Sequence, residues 1–122
     1  MKKLLLLSIS LLALSFLPST FAHDLKGAIA SEDRTPKNVV RDVYRHPYET
    51  LDFFGIKQDM TVIELSPGGG WYTEILANYI HYPGTLIAAH FNPDAGGYYK
   101  RGRANFEKKM NSNAMYGRVE IV

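Results

Sequence analysis

The chain has 122 residues, no cysteine, and fourteen lysines and arginines against twelve aspartates and glutamates. The absence of cysteine excludes disulfides, a zinc–thiolate centre and a cysteine-linked lipid anchor. Both charged residues among the first 22 are lysines, so the other 100 residues balance twelve cations with twelve carboxylates. That balance argues against attraction to nucleic acid or to an anionic membrane through net charge.

The first 22 residues have the pattern of a secretory signal peptide. Lys2 and Lys3 precede an uncharged apolar stretch over residues 4–17, and Thr20-Phe21-Ala22 is a small-x-small cleavage motif. The apolar stretch is shorter than the roughly 20 residues that a membrane span needs. We therefore expect cleavage after Ala22, export to the periplasm or out of the cell, and no stable membrane anchor afterwards.

Residues 23–34 are polar around Ser31–Arg34 and are interpreted as a linker, which leaves residues 35–122 as one domain. Thr35 and Pro36 provide a helix start, and Pro47 ends that helix and begins a second one that Gly55 is placed to cap. The first helix is predicted to bury one apolar face, made of Val39, Val40, Val43 and Tyr44; the second shares a face among Tyr48, Leu51 and Phe54.

From residue 61 onward, strand and helix signals alternate. Residues 61–65 and 85–89 are short apolar runs typical of buried parallel strands, and a third strand begins near Arg118. A helix from Trp71 and a helix over residues 98–110 separate them, and the second is expected to turn Tyr99, Phe106 and Met110 inward. This order predicts an α/β fold with a Rossmann-like, doubly wound parallel sheet. Because Val122 falls inside the third strand, we expect a domain truncated after that strand.

The candidate chemistry lies in the loop Ser66-Pro67-Gly68-Gly69-Gly70, between the first strand and the following helix. In open α/β sheets, ligands bind beyond the carboxyl ends of the strands, and glycine allows backbone to approach them closely. The helix start offers free N–H groups to an anion, and Glu64 offers a negative charge to an ammonium group. Together they suit a zwitterion such as the amino-acid end of S-adenosylmethionine.

Two nucleotide-binding patterns fit less well. A dinucleotide fingerprint needs a third small residue at position 73 and an acid about 20 residues further on, but the sequence has Thr73 and His90. A phosphate-binding P-loop would need a Gly-Lys-Ser/Thr ending, which is absent.

The segment Glu64-x-Ser66-Pro67-Gly68-Gly69-Gly70 resembles motif I of class I S-adenosylmethionine-dependent methyltransferases. Further stretches are similar to an exported predicted-methyltransferase subfamily; they are Tyr44-Arg45-His46-Pro47, Glu49-Thr50-Leu51, Phe53-Phe54-Gly55 and the run ELSPGGGWYT from Glu64 to Thr73. The resemblance covers essentially all of residues 31–122.

The resemblance implies that S-adenosylmethionine is the cofactor and that Glu64 and the glycine loop hold its methionine part. The cofactor-binding residues that follow are Glu64, Ser66, Gly68, Gly69, Gly70, Tyr72, His90 and Asn92. His90 matches the position where many family members carry a ribose-binding acid, and Asn92 or Asp94 could contribute there. Arg45 and His46 would line the mouth of the site or simply end a helix.

The predicted activity is methyl transfer to a small-molecule acceptor of unknown identity, and no catalytic residue can be named. The alternatives are a non-catalytic fragment or small-ligand binding module, and a nucleotide-binding Rossmann oxidoreductase. No metal site is predicted, since His46, His81 and His90 lack ligand spacing. Trp71 is expected to pack between helix and sheet, and the basic residues of helix 98–110 are expected to be solvated rather than to bind nucleic acid.

Overall fold

The computed structural model describes residues 24–122, so the predicted signal peptide lies outside the described residues. The fold is mixed α/β. Its parallel sheet has the order β1-β2-β3, with strands β1 (Thr61–Leu65), β2 (Thr85–Ala89) and β3 (Glu120–Ile121). The helices are α1 (Leu25–Ile29), α2 (Pro36–Val39), α3 (Asp42–Arg45), α4 (Pro47–Phe53), α5 (Trp71–Tyr79), α6 (Tyr98–Met110) and a 3-10 turn (Ala114–Tyr116). Among residues 24–122, no helix is both long and apolar enough to cross a membrane.

The sheet confirms the predicted alternation of strands and helices, with β1 and β2 at their predicted bounds and β3 shorter than expected. Val62 pairs with Leu86 and Glu64 with Ala88, so the carboxyl ends of β1 and β2 lie side by side. The glycine loop that follows β1 therefore starts next to His90, the residue that follows β2.

Helices cover one face of the sheet. Leu86 and Ala88 of β2 are buried in a core with the apolar residues of α1, α5 and α6, among them Leu25, Ala28, Ile75, Leu76, Phe106 and Met110. On β1 the alternate side chains Ile63 and Leu65 are 58% and 77% exposed. Within the described residues, the second face of β1 is thus open to solvent.

The segment interpreted as a linker is packed. Asp24 accepts a hydrogen bond from the Gly27 N–H at 2.7 Å and so caps α1, which buries Leu25 and Ala28 against the core. Arg34 is also buried and forms a 2.6 Å ion pair with Asp42. A helix of five residues is too short to show a clear apolar period, which explains why the sequence pattern reads as a linker.

The prediction of a single helix after Thr35 is wrong. The structure has two short helices, α2 and α3, interrupted at Val40 and Arg41. The predicted apolar face points outward, and Val39, Val40, Val43 and Tyr44 are all exposed. The buried residue of α2 is instead Asn38, whose carbonyl oxygen accepts the Trp71 indole N–H at 2.8 Å. This tertiary hydrogen bond to the Asn38 backbone lies on the inward side of α2 and has no counterpart in the local sequence pattern.

The packing predicted for the second helix, for helix α6 and for Trp71 is confirmed in part. Gly55 has a φ of +65°, as expected for a helix-ending glycine, and Leu51 is buried, whereas Tyr48 and Phe54 are exposed. Helix α6 has its predicted bounds and buries Phe106 and Met110, but Tyr99, which was also expected to face inward, is 50% exposed. Trp71 is buried, as expected for a packing residue.

Candidate functional site

The glycine loop has an unusual backbone shape. Ser66, Gly68 and Gly70 have φ values of +53°, +59° and +80°, in the left-handed region that favours glycine. The Ser66 N–H donates to the Ala89 carbonyl oxygen at 2.9 Å, and the Gly70 N–H donates to that of Pro67 at 2.9 Å. The loop is therefore tied to the end of β2 at its start and closed by a tight turn at its end.

The three glycines of the loop have different surroundings. A side chain at Gly70 would lie 3.2 Å from the Phe106 ring of α6, so Gly70 allows the helix to approach closely. Gly68 and Gly69 have open space where a side chain would lie. Gly70 thus serves packing, while Gly68 and Gly69 leave exposed backbone available to a ligand.

Glu64 lies at the carboxyl end of β1 and is half-buried. Its carboxylate accepts a hydrogen bond from the Thr73 hydroxyl, in the first turn of α5, at 2.5 Å. Burial raises the pKa of Glu64 above its ordinary value, although bonds from Thr73 and the positive charge of Lys109 act in the opposite direction. Burial therefore disfavours the charged form of Glu64, and such perturbed carboxyls are common at functional sites.

His90 holds the glycine loop. Its Nδ1 accepts the Phe91 N–H at 2.7 Å, and its Nε2 lies 3.0 Å from the Gly68 carbonyl oxygen. A neutral imidazole with its proton on Nε2 satisfies both contacts, because one nitrogen accepts and the other donates. Both ring nitrogens thus have protein partners, so a hydrogen bond to a ribose hydroxyl would need one of these contacts to open.

Lys109 and Glu74 are site residues that the sequence did not indicate, and Lys109, expected to be solvated, has a side chain that is only 20% exposed. Glu74 is fully buried; it accepts hydrogen bonds from the Thr35 N–H and hydroxyl and forms an ion pair with Lys109. The Lys109 ammonium also donates to the Gly69 carbonyl oxygen at 2.8 Å. The lysine therefore links helices α5 and α6 to the glycine loop. No local spacing relates residues 35, 74 and 109, so the sequence offered no signal for this network.

The predicted site residues are distributed over two cavities. Glu64 and Tyr72 line a mostly apolar cavity of about 370 Å³ beside Leu51 and Phe54. Gly68 and Gly69 line a larger cleft of about 710 Å³ that is bounded by α6. The two cavities share no lining residue, so a single ligand that touches both Glu64 and Gly68 or Gly69 must extend from one cavity to the other.

The remaining predicted residues lie around this region. Ser66 is exposed beside the loop, and Asn92 is exposed with its side-chain oxygen accepting the Asp94 N–H at 2.8 Å. Arg45 stacks over the Trp71 ring at 4.7 Å, and His46, with a φ of +47°, forms the junction between α3 and α4. Residues 24–122 contain no group of three or more histidine or acidic side chains placed to hold a metal ion.

No known protein family, curated protein or solved structure matches this chain. The assignment of a function therefore rests on the residues and geometry described above.

Proposed function

We propose that the chain has a Rossmann-like fold and binds S-adenosylmethionine across its glycine loop, as a methyltransferase does. The observation that carries the proposal is the position of Glu64, a half-buried carboxyl at the end of a parallel strand, next to a left-handed glycine loop that opens a helix. The parallel order β1-β2-β3 supports the fold, because it places these groups at the edge of the sheet where ligands of such folds bind.

The residues fit the methionine part of the cofactor. The Glu64 carboxylate suits an ammonium group, and the open backbone of Gly68 and Gly69 suits a carboxylate or a close-lying chain. The fit to the ribose is weaker, because His90 already bonds to the loop. When bound, S-adenosylmethionine would supply an activated methyl group to an acceptor, a small molecule of unknown identity.

The chain's own contribution to such a reaction is positional. Thr73 orients the Glu64 carboxyl, while Lys109 and His90 fix the carbonyl groups of Gly69 and Gly68. A loop held in this way loses little conformational freedom when a ligand binds. Methyl transfer depends largely on holding donor and acceptor in line, which is a positioning task.

The substitution Glu64→Ala tests this proposal. We expect it to weaken S-adenosylmethionine binding by about 1.5 to 3 kcal/mol, the cost of a lost hydrogen bond to a charged group. The measurement is isothermal titration calorimetry on the full chain. Glu32→Ala, which removes an exposed carboxylate, is the matched control and should bind like the unchanged chain. Equal affinity in all three proteins would remove Glu64 from the site.

A non-catalytic ligand-binding module is the alternative that the same cavities allow. It is distinguished by incubating the chain with methyl-labelled cofactor and a mixture of small acceptors. Binding of the cofactor without any transfer of label would favour the binding module.

A further inference from the structure

The large cleft beside the glycine loop carries a charge pattern that the proposed function does not use. Three cations line it: Lys37 from α2 and Arg101 and Lys109 from α6. Among the described residues, no aspartate or glutamate lines the cleft. Its volume of about 710 Å³ is within the range of small-molecule sites.

The three cations differ in how far their charge is already neutralised. Lys109 is paired with the buried Glu74 and donates to the Gly69 carbonyl oxygen. Lys37 and Arg101 are exposed and have no ion pair or side-chain hydrogen bond with the rest of residues 24–122. Two cations without an ion pair, on different helices, therefore border the same cleft.

Aromatic side chains complete the lining. Phe91 and Tyr98 both border the cleft, and Tyr98 is 72% exposed in spite of its large ring. Asn105 adds an exposed amide that can donate hydrogen bonds. An exposed ring beside unpaired cations is suited to a ligand that has both a flat apolar part and a charged group.

We propose that this cleft binds a phosphate monoester joined to a planar ring, with Lys37 and Arg101 contacting the phosphate and Tyr98 contacting the ring. The guanidinium of Arg101 can donate two parallel hydrogen bonds to phosphate oxygens, and Lys37 adds a point charge. Gly68 and Gly69 border this cleft too, but Lys37, Arg101 and Tyr98 have no part in the proposed S-adenosylmethionine site and Glu64 lines the other cavity, so this proposal does not depend on S-adenosylmethionine binding.

The test is calorimetric titration of the full chain with phenyl phosphate, phenol and inorganic phosphate. Phenyl phosphate should bind at least several-fold more tightly than either of the other two, since it alone offers both parts. Raising the ionic strength from about 0.05 M to 0.5 M should weaken its binding several-fold, because exposed charges are screened by salt.

Two variants locate the site. The double substitution Lys37→Gln with Arg101→Gln should weaken phenyl phosphate binding roughly fivefold or more, the combined effect of two exposed charge contacts. Tyr98→Ala should reduce binding of phenyl phosphate but not of inorganic phosphate. Lys100→Gln, an exposed neighbour on α6 that does not line the cleft, is the control and should bind normally.

Three results would overturn the proposal. They are an absence of saturable phenyl phosphate binding, equal binding by the double variant and the unchanged chain, and inorganic phosphate binding as tightly as phenyl phosphate. Thermal unfolding of each variant keeps the comparison valid, and no loss of fold is expected because Lys37 and Arg101 are exposed and form no side-chain hydrogen bond or ion pair with the described residues.

Discussion

Glu64 is a carboxyl whose pKa is raised by burial. Its folded pKa lies above its unfolded value, because burial outweighs the bonds from Thr73 and the charge of Lys109. The stability that protonated Glu64 contributes is therefore present below the unfolded pKa and is lost as pH rises through the folded pKa. Groups that oppose stability in this way are frequent at binding sites.

Glu64→Gln should consequently stabilise the fold at neutral pH. The amide oxygen can still accept the Thr73 hydroxyl bond, while the buried charge is removed. We expect the gain in free energy of unfolding, measured with urea, to be larger at pH 7 than at pH 4, where Glu64 of the unchanged chain is largely protonated. An equal difference at both pH values would contradict the raised pKa.

Gly70 and Gly69 should differ in how much an added side chain destabilises the fold. Gly70→Ala should destabilise the fold by about 1 to 3 kcal/mol, because a left-handed backbone is strained with a side chain and the new carbon meets Phe106 at 3.2 Å. Gly69→Ala, with open space around it and no left-handed backbone, should change stability by about 0.5 kcal/mol or less. Urea unfolding of the two variants measures this contrast, and similar losses in both would contradict the assigned roles.

At the scale of elements, the buried Glu74 joins three parts of the chain. Thr35 precedes α2, Glu74 belongs to α5 and Lys109 to α6, and the same lysine reaches the glycine loop. The buried Arg34 guanidinium lies 4.0 Å from the same carboxylate. Charged groups in such a network are costly to bury, so removing one partner leaves the others uncompensated.

Glu74→Gln should therefore cost about 3 to 5 kcal/mol of unfolding free energy. The matched control is Glu107→Gln, which removes the ion pair between Glu107 and Arg103 within α6. The Glu107 side chain is 43% exposed, so this substitution should cost at most about 0.5 kcal/mol. Equilibrium unfolding in urea compares them. If both losses were equally small, the network would be incidental to the fold.

The elements differ in how well sequence predicts them. Strands β1 and β2 and helix α6 were predicted with the bounds that the structure shows, because their apolar runs and their glycine and proline boundaries are local signals. The region before α4 was predicted poorly. Helices α1, α2 and α3 have four or five residues each, and their contacts involve partners outside the helix, such as Trp71 for Asn38 of α2 and Arg34 for Asp42 of α3.

The candidate site shows the same division. Glu64 and the glycine loop could be singled out because they are contiguous in sequence, and the structure brings them to the adjoining ends of β1 and β2. Two other contacts join residues that are far apart in the sequence. His90 lies 22 residues from Gly68, and Lys109 lies 40 residues from Gly69. The sequence contains no local pattern for pairs at such distances.

At the scale of the whole molecule, the sheet is covered by helices on one face and exposes Ile63 and Leu65 on the other side of β1. The glycine loop follows the carboxyl end of β1, an apolar cavity lies beside Glu64, and a cationic cleft lies beside Gly68 and Gly69.

S-adenosylmethionine is the ligand that we propose for the glycine loop, and calorimetric titration of the full chain with S-adenosylmethionine and, separately, with NAD tests that proposal. We predict saturable binding of S-adenosylmethionine to one site and no binding of NAD at the same concentrations. Binding of NAD without binding of S-adenosylmethionine would contradict the proposal and favour a nucleotide-binding oxidoreductase. Binding of neither compound would show that S-adenosylmethionine is not a ligand of this chain.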